Sequence, residues 1–486
     1  MLKRKINIAL ILHLISIVMV FESLFLLAAV IISFSNKEAI TLQISMAFVT
    51  VFLLGIALNL LTRKQRKVEP TLRESVLIVT LSWLALGLFG TLPYLFTHSI
   101  TTFTDAFFES ISGFTTTGSS ILTDIEILPK SILFWRAETH WIGGMGVIVL
   151  VIAIMPFLKI NGIHLFYSET SNVANEKIST RIRKVARNLW LVYVGLTFVE
   201  VFFLLIGGMS LFDSVCHAFA TIATGGFSTK NDSIAGFSPY IQYVITLFML
   251  LSGINFALHV LSLKGKIRHT IKNEELKMYL SIIVVVGLSI TFLLYFKTEI
   301  GFEEAFRNAF FQVISIITAT GFASANYSNW PVQAIALIAF LMLIGASAGS
   351  TGGGVKVIRH LIVVKKIKQR FRNIASPNAI HTIRYNGKIM NQNYVARVMA
   401  FIIAYYLILI AGTFVMMAFK QDVATSFGAV ATSMAGIGPG FGKVGPVDNF
   451  AFLPAGAKYF LTFLMILGRL EIYAVIIIFT RSFWRD

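Results

Sequence analysis

Asp105-Ala-Phe-Phe-Glu-Ser-Ile-Ser-Gly-Phe-Thr-Thr-Thr-Gly118 can be laid on Asn308-Ala-Phe-Phe-Gln-Val-Ile-Ser-Ile-Ile-Thr-Ala-Thr-Gly321 without a gap. The two stretches share Ala-Phe-Phe, Ile-Ser and Thr-x-Thr-Gly in register. A third copy, Asp213-Ser-Val-Cys-His-Ala-Phe-Ala-Thr-Ile-Ala-Thr-Gly225, is one residue shorter. The fourth, Ser426-Phe-Gly-Ala-Val-Ala-Thr-Ser-Met-Ala-Gly-Ile-Gly438, is the most diverged. The copies recur at intervals of about a hundred residues, the mark of an internally repeated architecture. Each stands between two long apolar segments and is itself too short and too polar to span a bilayer.

Those apolar segments run at roughly 8–34, 40–62, 75–96, 133–157, 188–208, 239–263, 278–296, 331–349, 395–417 and 457–480, about ten helices of spanning length. The unit is therefore helix, short re-entrant helix, Gly-containing loop, helix, four times over, and the first two spans form an extra hairpin. The expected class is an all-α polytopic membrane protein with four pseudo-repeats around one pore. Its divisions are an N-terminal hairpin (1–70), a first repeat (71–160), a cytoplasmic linker (161–186) and a second repeat (187–266). A third repeat (267–372), a second linker (373–392) and a fourth repeat (393–486) complete it.

Composition agrees. The chain is 56% hydrophobic and only 13% charged, too little charge for a soluble protein of this length. Its net charge of +18 suggests nucleic acid until the positions are read. Lys3, Arg4 and Lys5; Arg63, Lys64, Arg66 and Lys67; Arg181, Arg183, Lys184 and Arg187; Lys264, Lys266 and Arg268; and Lys365, Lys366, Lys368, Arg370 and Arg372 all lie between spans. Threading with the N-terminus inside puts roughly 31 basic residues on the inner face and about seven on the outer. The charge reports orientation, with both termini cytoplasmic, and no nucleic-acid partner. The start of the chain resembles a signal peptide, but its apolar run is too long and lacks a small-residue cleavage site, so it is read as a retained helix. The single cysteine, Cys216, excludes a disulfide framework or a Cys-rich metal site.

Non-helical backbone at membrane depth is tolerated only where protein or a water-filled cavity satisfies it. A short re-entrant helix brings its negative C-terminal end toward the pore centre. The loop after it can turn carbonyl oxygens inward to replace an ion's water shell, and glycine keeps the lumen free of side chains. The expected cation-binding filter is Thr115, Thr116, Thr117 and Gly118; Ile222, Ala223, Thr224 and Gly225; Thr318, Ala319, Thr320 and Gly321; and Ala435, Gly436, Ile437 and Gly438. The competing reading makes these glycines helix-packing positions. Packing alone would not require four-fold register.

Gly345-Ala-Ser-Ala-Gly-Ser-Thr-Gly-Gly-Gly354 interrupts an apolar helix with ten small residues, a run that should unwind because each internal glycine costs about 1 kcal/mol against alanine. It is not a phosphate loop: Gly354 is followed by Val355-Lys356, not Lys-Ser/Thr. By position it hangs below the third filter loop on the cytoplasmic side. Arg469 lies inside the last span, where a charge is costly and usually functional. It either faces the pore, is neutralised by a buried carboxylate, or holds carbonyls of the 345–354 loop. Glu471, two residues on, is not expected to pair with it.

The arrangement closely resembles the Trk/Ktr/HKT superfamily of cation transporters, in particular its TrkH branch. Besides the four loops, the resemblance rests on Ala-Thr-Gly-Gly-Phe-Ser-Thr (223–229), Trp141-Ile-Gly-Gly-Met-Gly146, Gly349-Ser-Thr-Gly-Gly-Gly354 with Val-Lys-Val-Ile-Arg359 following, Gly438-Pro-Gly-Phe-Gly442 and Gly468-Arg-Leu-Glu471. The N-terminal hairpin and the C-terminal Ser-Phe-Trp-Arg resemble that branch too. The resemblance implies potassium uptake across the cytoplasmic membrane, with K+ as the permeating ion and no organic cofactor on this chain. It also implies homodimers and a cytoplasmic nucleotide-binding regulatory ring of the TrkA type. By the same resemblance, Gly345, Gly349, Ser350, Thr351, Gly352, Gly353, Gly354 and Arg469 form the gate, with Arg469 beside the pore.

Other charged residues carry weaker expectations. Glu22 and Glu200 fall within apolar spans; a proton- or sodium-coupled symporter would use such carboxylates, and helix-end exposure or an interhelical hydrogen bond is the alternative. Arg136, Glu138 and His140 are expected at the membrane interface. Asp105, Glu109 and Asp213 either make an outer vestibule negative or, for the two aspartates, cap helices. His217 has no second ligand at metal spacing, and no nucleophile elbow appears, so no enzyme is expected. The third class, a scaffold that has lost conduction, is opposed by glycines at all four loop positions.

Overall fold

A helix rises about 1.5 Å per residue, so a hydrocarbon core of about 30 Å needs about 20 residues. In the computed structural model, which describes residues 6–66, 68–154, 175–379 and 381–485, each repeat carries one short helix, between two others, that stops well below that length. The four are Phe103–Phe114, Leu211–Ile222, Phe302–Ile317 and Val423–Ala435. Thr102, Ser210 and Asp422 cap three of them through side-chain oxygens that accept the N–H of Asp105, Asp213 and Thr425. Asp105 and Asp213 sit in the first turns, where a negative charge suits the helix dipole.

Each short helix packs between the two long helices of its own unit and against the second long helix of the preceding unit. Leu211–Ile222 touches Lys130–Ile154; Phe302–Ile317 touches Pro239–Ser252; Val423–Ala435 touches Val332–Met342. Phe103–Phe114 touches Ala455–Arg469, the second long helix of the fourth unit. That last contact closes a circle. The hairpin Ile8–Ser35 and Thr41–Thr62 stands outside it, packed on Leu72–Phe89 and Lys130–Ile154 through Ile8–Ser35. Its polar contacts turn inward: His13 meets the Thr62 hydroxyl at 3.1 Å, and Asn59 donates to Ser16 at 3.0 Å. Large apolar side chains such as Phe198, Phe202, Val285 and Phe414 are exposed on the outside, as a lipid-facing surface requires.

Among the described residues, six helices are long and apolar enough to cross a membrane, or up to eight if two bent pairs count as spans. Each of the ten expected spans contains helix among its described residues, but three are not straight rods. Pro239–Ser252 meets Phe256–Leu263 at 96°, and Ala455–Arg469 meets Tyr473–Phe479 at 113°. The span expected at 331–349 stops at Met342; the chain runs irregularly through the small-residue stretch and resumes as Val357–Ala375. A two-stranded hairpin, Arg384–Tyr385 with Lys388–Ile389, is a small departure from the all-α expectation, within the segment read as a linker. Lys3, Arg4, Lys5 and Lys67, and positions 161–174 of the first expected linker, lie outside the described residues.

Candidate functional site

The four loops repeat one backbone pattern. After each short helix ends, Thr116, Thr224, Ala319 and Gly436 take φ of 53°, 55°, 59° and 69°. Two residues later Gly118, Gly226, Gly321 and Gly438 take φ of 78°, 82°, 82° and 92°. Side-chain-bearing residues resist this conformation at a cost of about 1–2 kcal/mol each, and such strain concentrates at functional sites. Thr116, Thr224 and Ala319 all carry it while at least 99% buried.

The glycines lock the loops into a ring. A Cβ on Gly118 would collide with the Gly225 carbonyl oxygen, one on Gly226 with that of Thr320, and one on Gly321 with that of Ile437. A Cβ on Gly438 would sit 2.9 Å from the Thr117 oxygen. Each loop thus lays its left-handed glycine against the carbonyl one residue before the equivalent glycine of the next loop, and the fourth closes on the first.

This geometry shifts the second loop from the expected residues. Ile222 is the last helical residue, equivalent to Phe114 and Ile317, and Gly226 rather than Gly225 matches Gly118. The loop is Ala223, Thr224, Gly225 and Gly226. The apparently short third copy becomes Asp213 to Gly226, equal in length to the first two stretches, Asp105–Gly118 and Asn308–Gly321. The Gly225-Gly226 doublet was the available signal, and Thr-Gly in the wrong register masked it. In the first loop the Thr115 and Thr117 hydroxyls lie 2.8 Å apart, and in the third those of Thr318 and Thr320 do likewise.

The 345–354 stretch sits directly against the short-helix ends. Thr351 Oγ1 donates to the Ile222 carbonyl at 3.0 Å. A Cβ on Gly352 would lie 2.5 Å from the Thr318 oxygen, and one on Gly353 would collide with the Ala435 oxygen. Gly345, Gly349 and Gly354 have φ of 81°, 76° and 76°, and Gly345 packs against Gly354 where the loop closes on itself. Ser350 donates to the Ser347 carbonyl at 2.6 Å, and Glu275 accepts from the Ala348 N–H at 2.6 Å. Lys356, just past this stretch, reaches back to the Gly352 carbonyl. Gly143 and Gly468 serve the same close packing, facing the Phe114 and Met434 carbonyls.

Arg469 holds this stretch. Its two terminal nitrogens donate to the carbonyls of Thr351 at 3.0 Å and Gly143 at 3.1 Å, while Nε has no partner. Among the described residues no carboxylate pairs with it. Glu471 instead meets Arg359 at 2.5 Å, after a break where Glu471 and Ile472 both have φ of 58°.

Several charged residues stand elsewhere than expected. Arg136, Glu138 and His140 are at most 3% exposed, so they are core residues and not interfacial ones. Glu109 is fully buried, paired with Arg136 at 2.9 Å, and so is not a free vestibule charge. Asp105 pairs with Lys458 at 2.6 Å, and Asp213 accepts from Thr229 at 2.7 Å. Glu22 and Glu200 are buried, at odds with helix-end exposure; the Glu22 carboxylate has no hydrogen-bond partner, and the Thr221 side chain lies beside that of Glu200. His217 bonds the Asp213 carbonyl and Ser228, and no metal-binding cluster of three ligands occurs among the described residues.

Residues 41–485 match the family described as TrkH, cation transport protein. The Trk system potassium uptake protein TrkH of Escherichia coli strain K12 is 37% identical over 448 residues, which is 90% of this chain and 92% of that one. The Trk system potassium uptake protein TrkG of the same strain is 32% identical over 468 residues, 96% of each chain. The crystal structure of the potassium transporter TrkH from Vibrio parahaemolyticus has a TM-score of 0.90 at 33% identity, covering 99% of this chain and all of that one.

Proposed function

The chain belongs to the TrkH family of cation transport proteins, and on that premise we propose that it conducts potassium into the cell through the ring of four loops. The observation that carries this is the cyclic fit of Gly118, Gly226, Gly321 and Gly438 against the carbonyls of the neighbouring loops. Backbone oxygens of Thr115–Gly118, Ala223–Gly226, Thr318–Gly321 and Ala435–Gly438 replace the water of a K+ ion, and an anion meets oxygens only. The loops differ in sequence and lack a symmetric Thr-Val-Gly-Tyr-Gly ring, so preference for potassium over sodium is modest.

Conduction is controlled beneath the ring. The 345–354 loop, anchored by Thr351 and Arg469, closes the path, and the Arg469 charge raises the barrier to a cation. A cytoplasmic nucleotide-binding ring moves the loop aside, and two copies of the chain associate in the inner membrane with their termini in the cytoplasm. The relatives' description as parts of a Trk system supports partner components.

A second reading, a proton-coupled symporter, draws on Glu22 and Glu200, two carboxylates buried inside the protein. Rubidium uptake into liposomes holding the purified chain, without a proton gradient, separates the two. Uptake suppressed by potassium far more than by sodium supports the passive pathway. Uptake that starts only when a proton gradient is imposed overturns it in favour of coupling.

A further inference from the structure

Outside the four glycines the loops are joined a second time, by side chains and backbone at a larger radius. Loops two and three meet through Ser233 Oγ, which accepts the Ala323 N–H at 3.1 Å, and through Ile234 N–H, which donates to the Ala323 carbonyl at 3.0 Å. Loops three and four meet where the Tyr327 hydroxyl donates to the Gly440 carbonyl at 2.9 Å. Loops four and one meet where the Phe450 N–H donates to the Ser120 carbonyl at 2.8 Å. These joints are neutral.

The joint between loops one and two is different, because it is ionic and dry. Glu109, from the first short helix, accepts from the Ser120 hydroxyl, from the Ile121 N–H at 3.0 Å and from Arg136 Nε at 2.9 Å. Arg136 then donates to the Ser228 carbonyl at 3.3 Å, and its guanidinium carbon lies 4.1 Å from the centroid of the Phe227 ring. One turn further along the same helix, His140 Nδ1 faces the Gly113 carbonyl at 2.8 Å. The proton must therefore be on Nδ1, leaving Nε2 to accept the Phe227 N–H at 3.2 Å. The same ring fills the space beside Gly225, where any Cβ would collide with it. Two residues on one helix of the first unit thus hold the loop carrying Gly225 and Gly226 in the second, and one of them is paired with an acid on the first unit's short helix.

A buried ion pair is poor evidence of stability, since desolvation offsets much of its attraction. Its directionality is another matter: a planar guanidinium ties a carboxylate, a backbone carbonyl and an aromatic face at fixed angles. A filter that discriminates cations by carbonyl spacing needs that kind of restraint at its wall.

We propose that the Glu109–Arg136 pair, with Phe227 and His140, is a specificity-determining brace that sets the position of the second filter loop and hence the preference among alkali cations. These are positioning residues, acting through Gly225 and Gly226 without touching the ion. The proposal rests on the potassium-pathway reading above. Its physical content is that selectivity depends on the brace while conduction does not. With the brace loosened, the loop moves outward or relaxes, and smaller, more strongly hydrated ions are no longer disfavoured.

The test is competition of K+ and Na+ against rubidium uptake by the full chain in liposomes. Wild type is compared with Glu109→Gln, which keeps shape and removes the charge, and with Phe227→Leu, which keeps apolar volume and removes the ring under the guanidinium. Uptake should persist, while potassium-over-sodium preference falls by about twofold to thirtyfold, the range for changes acting through a packed network. Unchanged preference in both variants, or in Phe227→Leu alone if Glu109→Gln fails to fold, overturns the proposal and leaves the pair as structural cement. Failure of the underlying reading looks different: wild type itself would show no potassium-preferring uptake.

Discussion

Replacing Gly321 with serine probes the ring at the joint where a Cβ would approach a carbonyl oxygen most closely. Gly321 has φ of 82°, and a Cβ there would collide with the Ile437 carbonyl oxygen and lie 2.9 Å from Pro439 Cδ. Holding a side chain in the left-handed region costs about 1–2 kcal/mol. The collision adds a displacement: ordinary contact begins at 3.4 Å, so the Ile437 oxygen must withdraw by more than an ångström. That oxygen belongs to the set Thr117, Gly225, Thr320 and Ile437, one from each loop. Losing one oxygen of four makes the site treat large and small cations more alike, and 1.4 kcal/mol of lost discrimination is about tenfold in preference. The assay is the ratio of potassium to sodium concentrations that halve rubidium uptake into liposomes. Gly321→Ser should lower the preference about tenfold while uptake continues. Gly208→Ser is the control, since Gly208 has φ of 84° with nothing within 4 Å of a Cβ. It carries the conformational cost without the collision and should keep wild-type preference. A folded Gly321→Ser protein with unchanged preference would refute the assignment of Ile437 to the ion's shell.

Further outcomes follow from the layer beneath the ring. Arg469→Gln removes two charge-assisted hydrogen bonds, each worth about 1.5–3 kcal/mol, and a positive charge near the path, so initial uptake should rise at least tenfold; an unchanged rate would place the arginine off the path. Deleting residues 348–352 takes out the Thr351 anchor to Ile222, and uptake should then proceed without any cytoplasmic partner. Persistent dependence on a partner would show that the closure lies elsewhere. Glu200→Gln preserves size and burial, and a passive pathway should keep its wild-type rate within about twofold, the scale of a surface-like change. Loss of uptake in that variant would revive proton coupling.

The repeated unit was legible because it is written in local chemistry. Thr-x-Thr-Gly after a short amphipathic segment, between apolar spans, states a helix that cannot cross and a loop that must turn. The 345–354 run was legible for the same reason, since ten small residues cannot hold a helix. The register of the second loop was not, because Thr224-Gly225 imitates the motif one residue early and only the left-handed φ of Gly226 identifies the true equivalent. Arg469 stands out in the sequence by its cost in a span, yet its partners, the Thr351 and Gly143 carbonyls, lie 118 and 326 residues away along the chain.

Sequence alone determined the membrane setting, four short helices and the loops that follow them, since hydropathy and glycine content act over a few residues at a time. Tertiary structure decided which oxygens meet which glycines, and it turned Arg136, Glu109 and His140 from expected surface or vestibule residues into a buried brace. The physical reason is that a charge is read from sequence by its neighbours along the chain, whereas its burial and its partner depend on the chain closing into a circle. Gly438 meets Thr117 only once Phe103–Phe114 has packed against Ala455–Arg469.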